Sequence, residues 1–188
     1  MADRRESSGD EPPGAQGPPA PVRSAVLATA HAGLLVAVTG AAAWLSGLPF
    51  IFPSLGPSAF ILAVRPGSDE HTAYRVIGGH LVAIVAGMAA YHVLAEGVVL
   101  SGVAPVSAAG LRLALSGTLS VALTSALMLV TGARHAPACA TTLIVSLGIL
   151  VSPADAGIIL ASVVALYAAH ALVARAERWL LARRPGAG

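Results

Sequence analysis

Four long apolar segments with almost no charge constrain most strongly what this chain can fold into. They cover residues 24–48, 75–95, 111–130 and 157–173. A helix needs about 20 apolar residues to cross the hydrocarbon core of a bilayer, which is about 30 Å thick. Only 11% of the residues are charged, against about 25% in a soluble domain. The sequence therefore predicts an all-α integral membrane protein that contacts the lipid bilayer.

Two shorter apolar segments lie between these spans, and both carry prolines. Residues 50–64 follow the first span, and residues 131–151 follow the third. Pro137 suits the first turn of a helix, because its missing N–H would be unpaired there. A helix from Pro137 to about Leu150 would be about 22 Å long, which is short for the bilayer core. We expect each short helix to start inside the membrane, and either to cross it with the help of extended chain or to re-enter.

The chain also contains a weak internal repeat, with an offset of 84 residues. This offset aligns Pro53 with Pro137, and it preserves the order of long span, short segment, polar loop and long span. Paired short segments in corresponding halves of a membrane protein point to a transport site. We therefore expect two inverted three-helix repeats, over residues 24–95 and 111–179, each with a short Pro-marked helix between two long spans.

The placement of arginine indicates the topology, because arginine is enriched in cytoplasmic loops. If both short helices cross the membrane, ten of the eleven arginines lie on one side and Arg112 lies on the other. If the short helices re-enter, the arginines divide eight against three. The crossing arrangement gives the sharper division, and it places both termini in the cytoplasm.

The ends of the chain differ from its apolar centre. Residues 1–22 are rich in proline, glycine, serine and charge, so they cannot bury enough apolar surface to fold. We expect a disordered cytoplasmic tail there, a single transmembrane domain over residues 23–181 and a short basic tail over residues 182–188. The few basic residues lie at the membrane faces, so no nucleic-acid partner is expected. The single cysteine, Cys139, excludes an internal disulfide.

Three motifs resemble the HPP family of integral membrane proteins. They read P-S-L-G-P-S-A-F-I-L, Y-R-V-I-G-G-H-L-V-A-I-V-A-G and T-G-A-R-H-A-P-A-C-A-T-T-L-I-V. The family signature is degenerate, since Ala136 and Pro137 follow His135 where the family has His-Pro-Pro. The resemblance spans residues 24–179. It implies a small protein of the bacterial inner (plasma) membrane, and it implies nitrite as the substrate, because some relatives in plastids and cyanobacteria are associated with nitrite transport.

A helix that begins inside the membrane exposes unpaired backbone N–H groups and the positive end of its dipole. A small anion can satisfy such donors. We expect the helix starting near Pro57 and the helix starting near Pro137 to face each other and to bind a small inorganic anion, through the amides of residues 58–60 and 138–140. The predicted substrate-binding residues are Ser54, Gly56, Ser58, Ala59, His80, His135, Ala138, Thr141 and Thr142. In the alternative interpretation, the hydroxyls cap helices or bond back to carbonyls, and the small residues only permit close packing.

Histidines add to this candidate site, because an ionisable residue inside a span is a functional-site hypothesis. His80 lies within the second span, and His135 lies at the mouth of the second short helix. Either would suit a proton-coupled mechanism, since histidine titrates near neutral pH. Alternatively, each is a neutral residue at an interface or bonded to a neighbouring helix. His31 and His170 carry no motif, so we expect packing or interhelical bonding, and no spacing typical of a metal site occurs.

Three functions remain open from the sequence. The first is a small-anion transporter or channel, with the anion at the facing N-termini of the two short helices. The second is a non-transporting scaffold or a subunit of a partner protein, and the third is an intramembrane enzyme using His80 and His135. Since nucleotide-binding, dehydrogenase and hydrolase motifs are missing, we expect neither an enzyme nor a cofactor. One six-helix chain offers little wall around a central site, which is compatible with a homo-oligomer.

Overall fold

A computed structural model describes residues 21–64 and 72–183, in which all regular secondary structure is helical. The helices of these parts are α1 (Val22–Ser46), α2 (Leu55–Val64), α3 (Ala73–Leu94), α4 (Ala108–Thr131), α5 (Ala138–Ser146) and α6 (Pro153–Ala182). Of these, α1, α3, α4 and α6 are long and apolar enough to cross a membrane. The predicted all-α fold with four long spans is confirmed. The predicted N-terminal tail, the basic C-terminal tail and the polar loop after α2 lie largely outside the described residues.

A reciprocal cap fixes the start of α6. Asp155 Oδ2 accepts the Ser152 N–H at 2.9 Å and the Ser152 hydroxyl at 2.7 Å, while Ser152 Oγ accepts the Asp155 N–H at 3.1 Å. Pro153 fits the first helical position, because proline has no N–H and an N–H at that position would have no partner within the helix. The helix therefore begins at Pro153, before the start predicted at residue 157, and continues without a break for 30 residues.

The end of α5 is fixed by a glycine. Gly148 has a φ of 79°, which is a left-handed conformation that glycine adopts without strain. The Ile149 N–H bonds to the Ile144 carbonyl at 3.1 Å, and the Gly148 N–H bonds to the Val145 carbonyl at 3.0 Å. This pair of bonds is a Schellman motif. It limits α5 to 9 residues, so the prediction that this helix reaches about Leu150 is wrong.

The chain after α1 turns back and runs along α1. Gly47, with a φ of 69°, ends α1, and the Ile51 side chain then lies beside Gly40. Further on, α2 lines a cavity together with residues of the N-terminal half of α1. The extended stretch and α2 together therefore bring the chain back towards the end at which α1 began.

The second short helix, α5, also lies beside the long helix that precedes it. Ser116 and Ser120, near the middle of α4, donate hydrogen bonds to the carbonyl and hydroxyl of Ser146 at 2.9 and 3.0 Å. The Leu100 N–H, which precedes α4, bonds to the Leu147 carbonyl at 3.1 Å. Because Ser146 is the last residue of α5, α5 returns the chain towards the beginning of α4.

The apolar core lies between α2, α3, α5 and α6, with α1 at its edge. Its buried members are Leu35, Phe52, Leu55, Ala59, Leu62, Val76, Ile84, Ile144, Val145, Ile159, Val163 and Leu166. Most of the α1 surface is exposed, including the apolar side chains of Val26 and Leu34. This core holds α5 against α3 and α2 against α1 and α6, and a polar site lies where the starts of the two short helices approach each other.

Candidate functional site

Five buried polar side chains form one hydrogen-bonded cluster between α2, α3 and α5. Ser54 precedes α2 and Ser58 lies in its first turn, His80 lies on α3, His135 precedes α5, and Thr141 lies in the first turn of α5. We call these five residues the polar cluster. None of them is more than 2% exposed, so the cluster is closed to solvent in this conformation.

Ser58 lies at the centre of the polar cluster. Its Oγ is 3.2 Å from His80 Nε2, 3.0 Å from His135 Nε2 and 3.0 Å from the Ser54 carbonyl oxygen. The two imidazole rings have centroids 5.2 Å apart. A hydroxyl has one proton and two acceptor lone pairs. When Ser58 donates to the Ser54 carbonyl, it can therefore accept an N–H from either imidazole.

His80 connects the hydrogen bonds at the start of α2 to those at the start of α5. Its Nδ1 lies 2.8 Å from Thr141 Oγ1, and Thr141 Oγ1 lies 2.7 Å from Ser54 Oγ. A neutral imidazole has one N–H and one acceptor nitrogen, so neutral His80 donates through one ring nitrogen and accepts through the other. The side chains thus join the start of α2 and the start of α5 through α3.

Glycines on α3 allow this close assembly. A Cβ at Gly79 would lie 2.7 Å from His135 Cβ and 3.0 Å from the Ala133 carbonyl oxygen. Two turns later, a Cβ at Gly87 would lie 2.9 Å from the Thr142 carbonyl oxygen. Small residues let helix backbones approach each other in membranes. Here they bring the segment before α5, and α5 itself, against α3 beside the polar cluster.

Backbone amides that were expected to be free for an anion are paired with carbonyl groups. The N–H groups of residues 138–140 bond to the carbonyls of residues 135–137, each at 3.0 Å. The Ser58 N–H bonds to the Ser54 carbonyl at 3.3 Å. Hydrogen bonds to a carbonyl three or four residues earlier satisfy the N–H donors of the first turn of a helix. The expectation of free amides at these positions is therefore wrong.

The remaining four predicted residues lie outside the polar cluster. Ala138 is buried and packs in an apolar group with Met128 of α4. Thr142 is buried, and its Oγ1 has no hydrogen-bond partner among the described residues. Gly56 and Ala59 line a cavity on another face of α2. A substrate-binding role for any of the nine residues stays a prediction.

That cavity lies between α1, α2 and the C-terminal part of α6, and its volume is about 810 Å³. His31 and His170 contribute to its mostly apolar lining. His170 Nδ1 lies 3.4 Å from His31 Nε2, and the two rings stack with centroids 5.2 Å apart, so the expected interhelical contact is observed. Because Ala59 lines the cavity while Ser58 joins the polar cluster, α2 forms the wall between them.

A second polar group, between α4 and α5, was missed from the sequence. Ser116 and Ser120 of α4 bond to Ser146, and Thr124 is buried one turn further along. The available signal was their spacing, since residues 116, 120 and 124 recur every fourth residue. Residues four apart share one face of a helix, so a polar face on an apolar span was detectable.

The fold and the site together define a multi-pass helical membrane protein with a buried polar cluster where two short helices meet. The family model described as the transmembrane region of HPP matches residues 17–184. The chain therefore belongs to the HPP family, as its motifs implied. A search of curated proteins and a search of solved structures both gave no match.

Proposed function

We propose that this HPP protein is a transporter or channel for a small inorganic monoanion of the nitrite type. The observation that carries the proposal is the position of Ser58, which lies in the first turn of one short helix and between His80 and His135. Polar and ionisable residues inside a membrane span are costly and are commonly functional. Short helices that meet at a central polar site are also typical of secondary transporters.

The chemistry of the polar cluster suits an anion. The hydrogen bonds described above join hydroxyls, imidazoles and one backbone carbonyl, with no carboxylate among them. Hydroxyl and imidazole N–H groups can donate to an anion, whereas a carboxylate would repel it. Because the nearby amides are already paired with carbonyls, we assign anion binding to the side chains of the cluster.

Anion entry requires a movement, because the cluster side chains fill the space between the two helix starts. Ser58 and His80 are each 0% exposed, so an anion must displace the Ser58 hydroxyl from an imidazole. The cavity on another face of α2 offers room for such a movement. We propose that α2 shifts towards α1 and the end of α6 when the cluster opens.

For the topology, we propose inverted repeats consisting of α1–α3 and α4–α6. α1 packs on α2 and α6, while α4 packs on α5 and α3, which is the pattern that exchanging the two halves generates. The short segment of each half also returns along its first long helix, which supports crossing over re-entry. With the arginine division, we propose that both termini lie in the cytoplasm, at the inner (plasma) membrane of a bacterium.

Uptake by proteoliposomes tests the proposed function. Purified protein is offered nitrite, nitrate, formate, chloride and bicarbonate, and protein-free vesicles give the background for each anion. We expect nitrite uptake, and we expect Ser58→Ala to lower it about tenfold, since a hydrogen bond to an anion contributes about 1.5 kcal/mol. His92→Gln, at an exposed position near the end of α3 and outside both the polar cluster and the cavity, is the matched control and should keep parental uptake. No uptake of any of these anions by monodisperse protein would refute transport.

A second function, as a non-transporting scaffold or a subunit of a partner protein, is also supported by an observation. Ser58 bonds back to the Ser54 carbonyl at 3.0 Å, as a structural serine in a helix does, and the cluster is filled by its own side chains. The exposed apolar surface of α1 offers a face for packing against a partner protein or a second copy of the chain. Absence of uptake together with a stable complex would favour this function. We propose no catalysis and no cofactor for the site.

A further inference from the structure

We propose that the polar cluster is a proton relay, so that a proton is the coupling ion of transport; this inference rests on the proposed function. One continuous path runs from His135 Nε2 through Ser58 Oγ and His80 to Thr141 Oγ1 and Ser54 Oγ. The successive atoms are separated by 3.0, 3.2, 2.8 and 2.7 Å. Each distance is within or close to the range of a hydrogen bond.

The path has two complete arrangements of its protons. In the first, every hydrogen bond points from His135 towards Ser54, and His80 carries its proton on Nδ1. In the second, every bond points the other way, and His80 carries its proton on Nε2. Both require Ser58 to turn its one proton from the Ser54 carbonyl to an imidazole, and both are then allowed because a hydroxyl and a neutral imidazole can each donate and accept. A chain that satisfies all its members in both directions can pass a proton along its length.

The transfer balances atom by atom. A proton that reaches Ser54 Oγ releases the Ser54 hydroxyl proton to Thr141 Oγ1, and Thr141 passes its own proton to His80 Nδ1. His80 then gives its Nε2 proton to Ser58 Oγ, and Ser58 passes its proton to His135 Nε2. Each intermediate oxygen gains one proton and loses one, and no electrons move. One positive charge has travelled from Ser54 to His135, and the path is left in the first arrangement. Once His135 has released a proton, rotation of the hydroxyls and of the His80 ring restores the second arrangement.

A proton on this path has a direct use in anion transport. An anion and a proton together form a neutral pair, which reduces the cost of moving charge through the low-dielectric interior. An anion that accepts from Ser58 would lie beside both imidazoles, where its charge stabilises an additional proton. The titratable members of the path are His80 and His135, since the adjacent Arg134 is exposed. Ser58 therefore links the anion to the relay.

The test measures nitrite and protons in the same vesicles. Proteoliposomes that contain a pH-sensitive dye receive a nitrite gradient, and protein-free vesicles give the background from diffusing nitrous acid. We expect lumenal acidification to accompany nitrite uptake. Thr141→Val removes a relay hydroxyl and should lower the ratio of protons to nitrite at least about fivefold, the effect of one lost hydrogen bond. Thr141→Ser keeps the hydroxyl, and His92→Gln lies outside both the path and the cavity, so both should keep the parental ratio.

The outcomes separate the relay from the proposed function. Nitrite uptake without protons, or an unchanged ratio in Thr141→Val, would overturn the relay and leave anion transport standing. Proton movement without nitrite would overturn anion transport and support the relay. If neither moves, NMR of isotope-labelled imidazole nitrogens decides. We expect neutral His80 to exchange between its two tautomers, and Thr141→Val to fix the Nε2–H form because Nδ1 loses its partner. A single, non-exchanging tautomer of His80 in the parent would overturn the relay.

Discussion

Replacing Gly79 with alanine perturbs the contact between α3 and the segment before α5. The added Cβ would lie 2.7 Å from His135 Cβ and 3.0 Å from the Ala133 carbonyl oxygen. Neither neighbour can rotate away, because one is the first atom of a side chain and the other is backbone. The two segments must therefore separate, and we expect His135 to move away from Ser58, which its Nε2 now approaches to 3.0 Å.

The loss of stability can be estimated from the cost of overpacking and from the helix propensity of alanine. Overpacking a tightly packed site costs about 1 to 3 kcal/mol, and the better helix propensity of alanine offsets up to about 1 kcal/mol. Since the clash at Gly79 involves backbone, we expect a net loss of about 1 to 2 kcal/mol in the free energy of unfolding. For a chain of this length, that corresponds to a fall in Tm of about 3 to 6 °C.

Gly78→Ala provides a matched control, because it makes the same substitution one residue earlier on the same helix. Its Cβ would meet Ala133 Cβ at 3.4 Å, at the edge of ordinary van der Waals contact. Each variant is heated in detergent, and the monodisperse fraction that remains is measured by size-exclusion chromatography. We expect Gly78→Ala to match the Tm of the parent or to exceed it by up to about 4 °C, because the helix propensity of alanine adds up to about 1 kcal/mol and no close contact opposes it. Equal Tm values for Gly79→Ala and Gly78→Ala would refute the close approach of α3 to His135.

Two further predictions concern topology and capping. The topology is tested in a Cys139→Ala background, in which Ala73→Cys and Ala154→Cys each introduce a single cysteine. Because we propose that both short helices cross, an impermeant maleimide should label the two positions from opposite sides of the membrane. Labelling from the same side would favour re-entry. Asp155→Ala should lower stability by about 1 kcal/mol, because it removes the acceptor that caps α6 at Ser152, and thermal unfolding measures this loss. Asp155→Asn keeps an acceptor and should recover most of it, whereas an Asp155→Ala variant as stable as the parent would contradict the capping role.

The long spans could be predicted from the sequence because their lengths follow from apolar composition. The third span was predicted over residues 111–130, and α4 covers Ala108–Thr131. Helix boundaries that depend on particular hydrogen bonds or turns were harder to predict from the sequence. The start of α6 depends on the Ser152 and Asp155 pair, and the end of α5 depends on the left-handed Gly148. All three residues are visible in the sequence, but their backbone geometry is not.

The composition of the polar cluster could be predicted only in part, because neighbouring residues on a helix point in different directions. Ser54 and Ser58 are four residues apart and both join the cluster, whereas Ala59 lines the cavity. Similarly, Thr141 joins the cluster and Thr142 does not. Adjacent residues of a helix point to different faces, so Ser58 and Ala59 are separated, as are Thr141 and Thr142. The sequence could not reveal which face of each short helix would meet His80, because that depends on packing against α3.

Nitrite uptake by the Ser58→Asp variant tests most directly whether the polar cluster carries an anion across the membrane. A carboxylate between His80 and His135 would accept their N–H groups and would repel the substrate, so we expect uptake to fall to the level of protein-free vesicles. Ser58→Asn has a similar size without the charge and still donates a hydrogen bond, so it should retain measurable uptake. Both variants must remain monodisperse in detergent. If Ser58→Asp takes up nitrite as fast as the parent, the anion does not pass through the polar cluster.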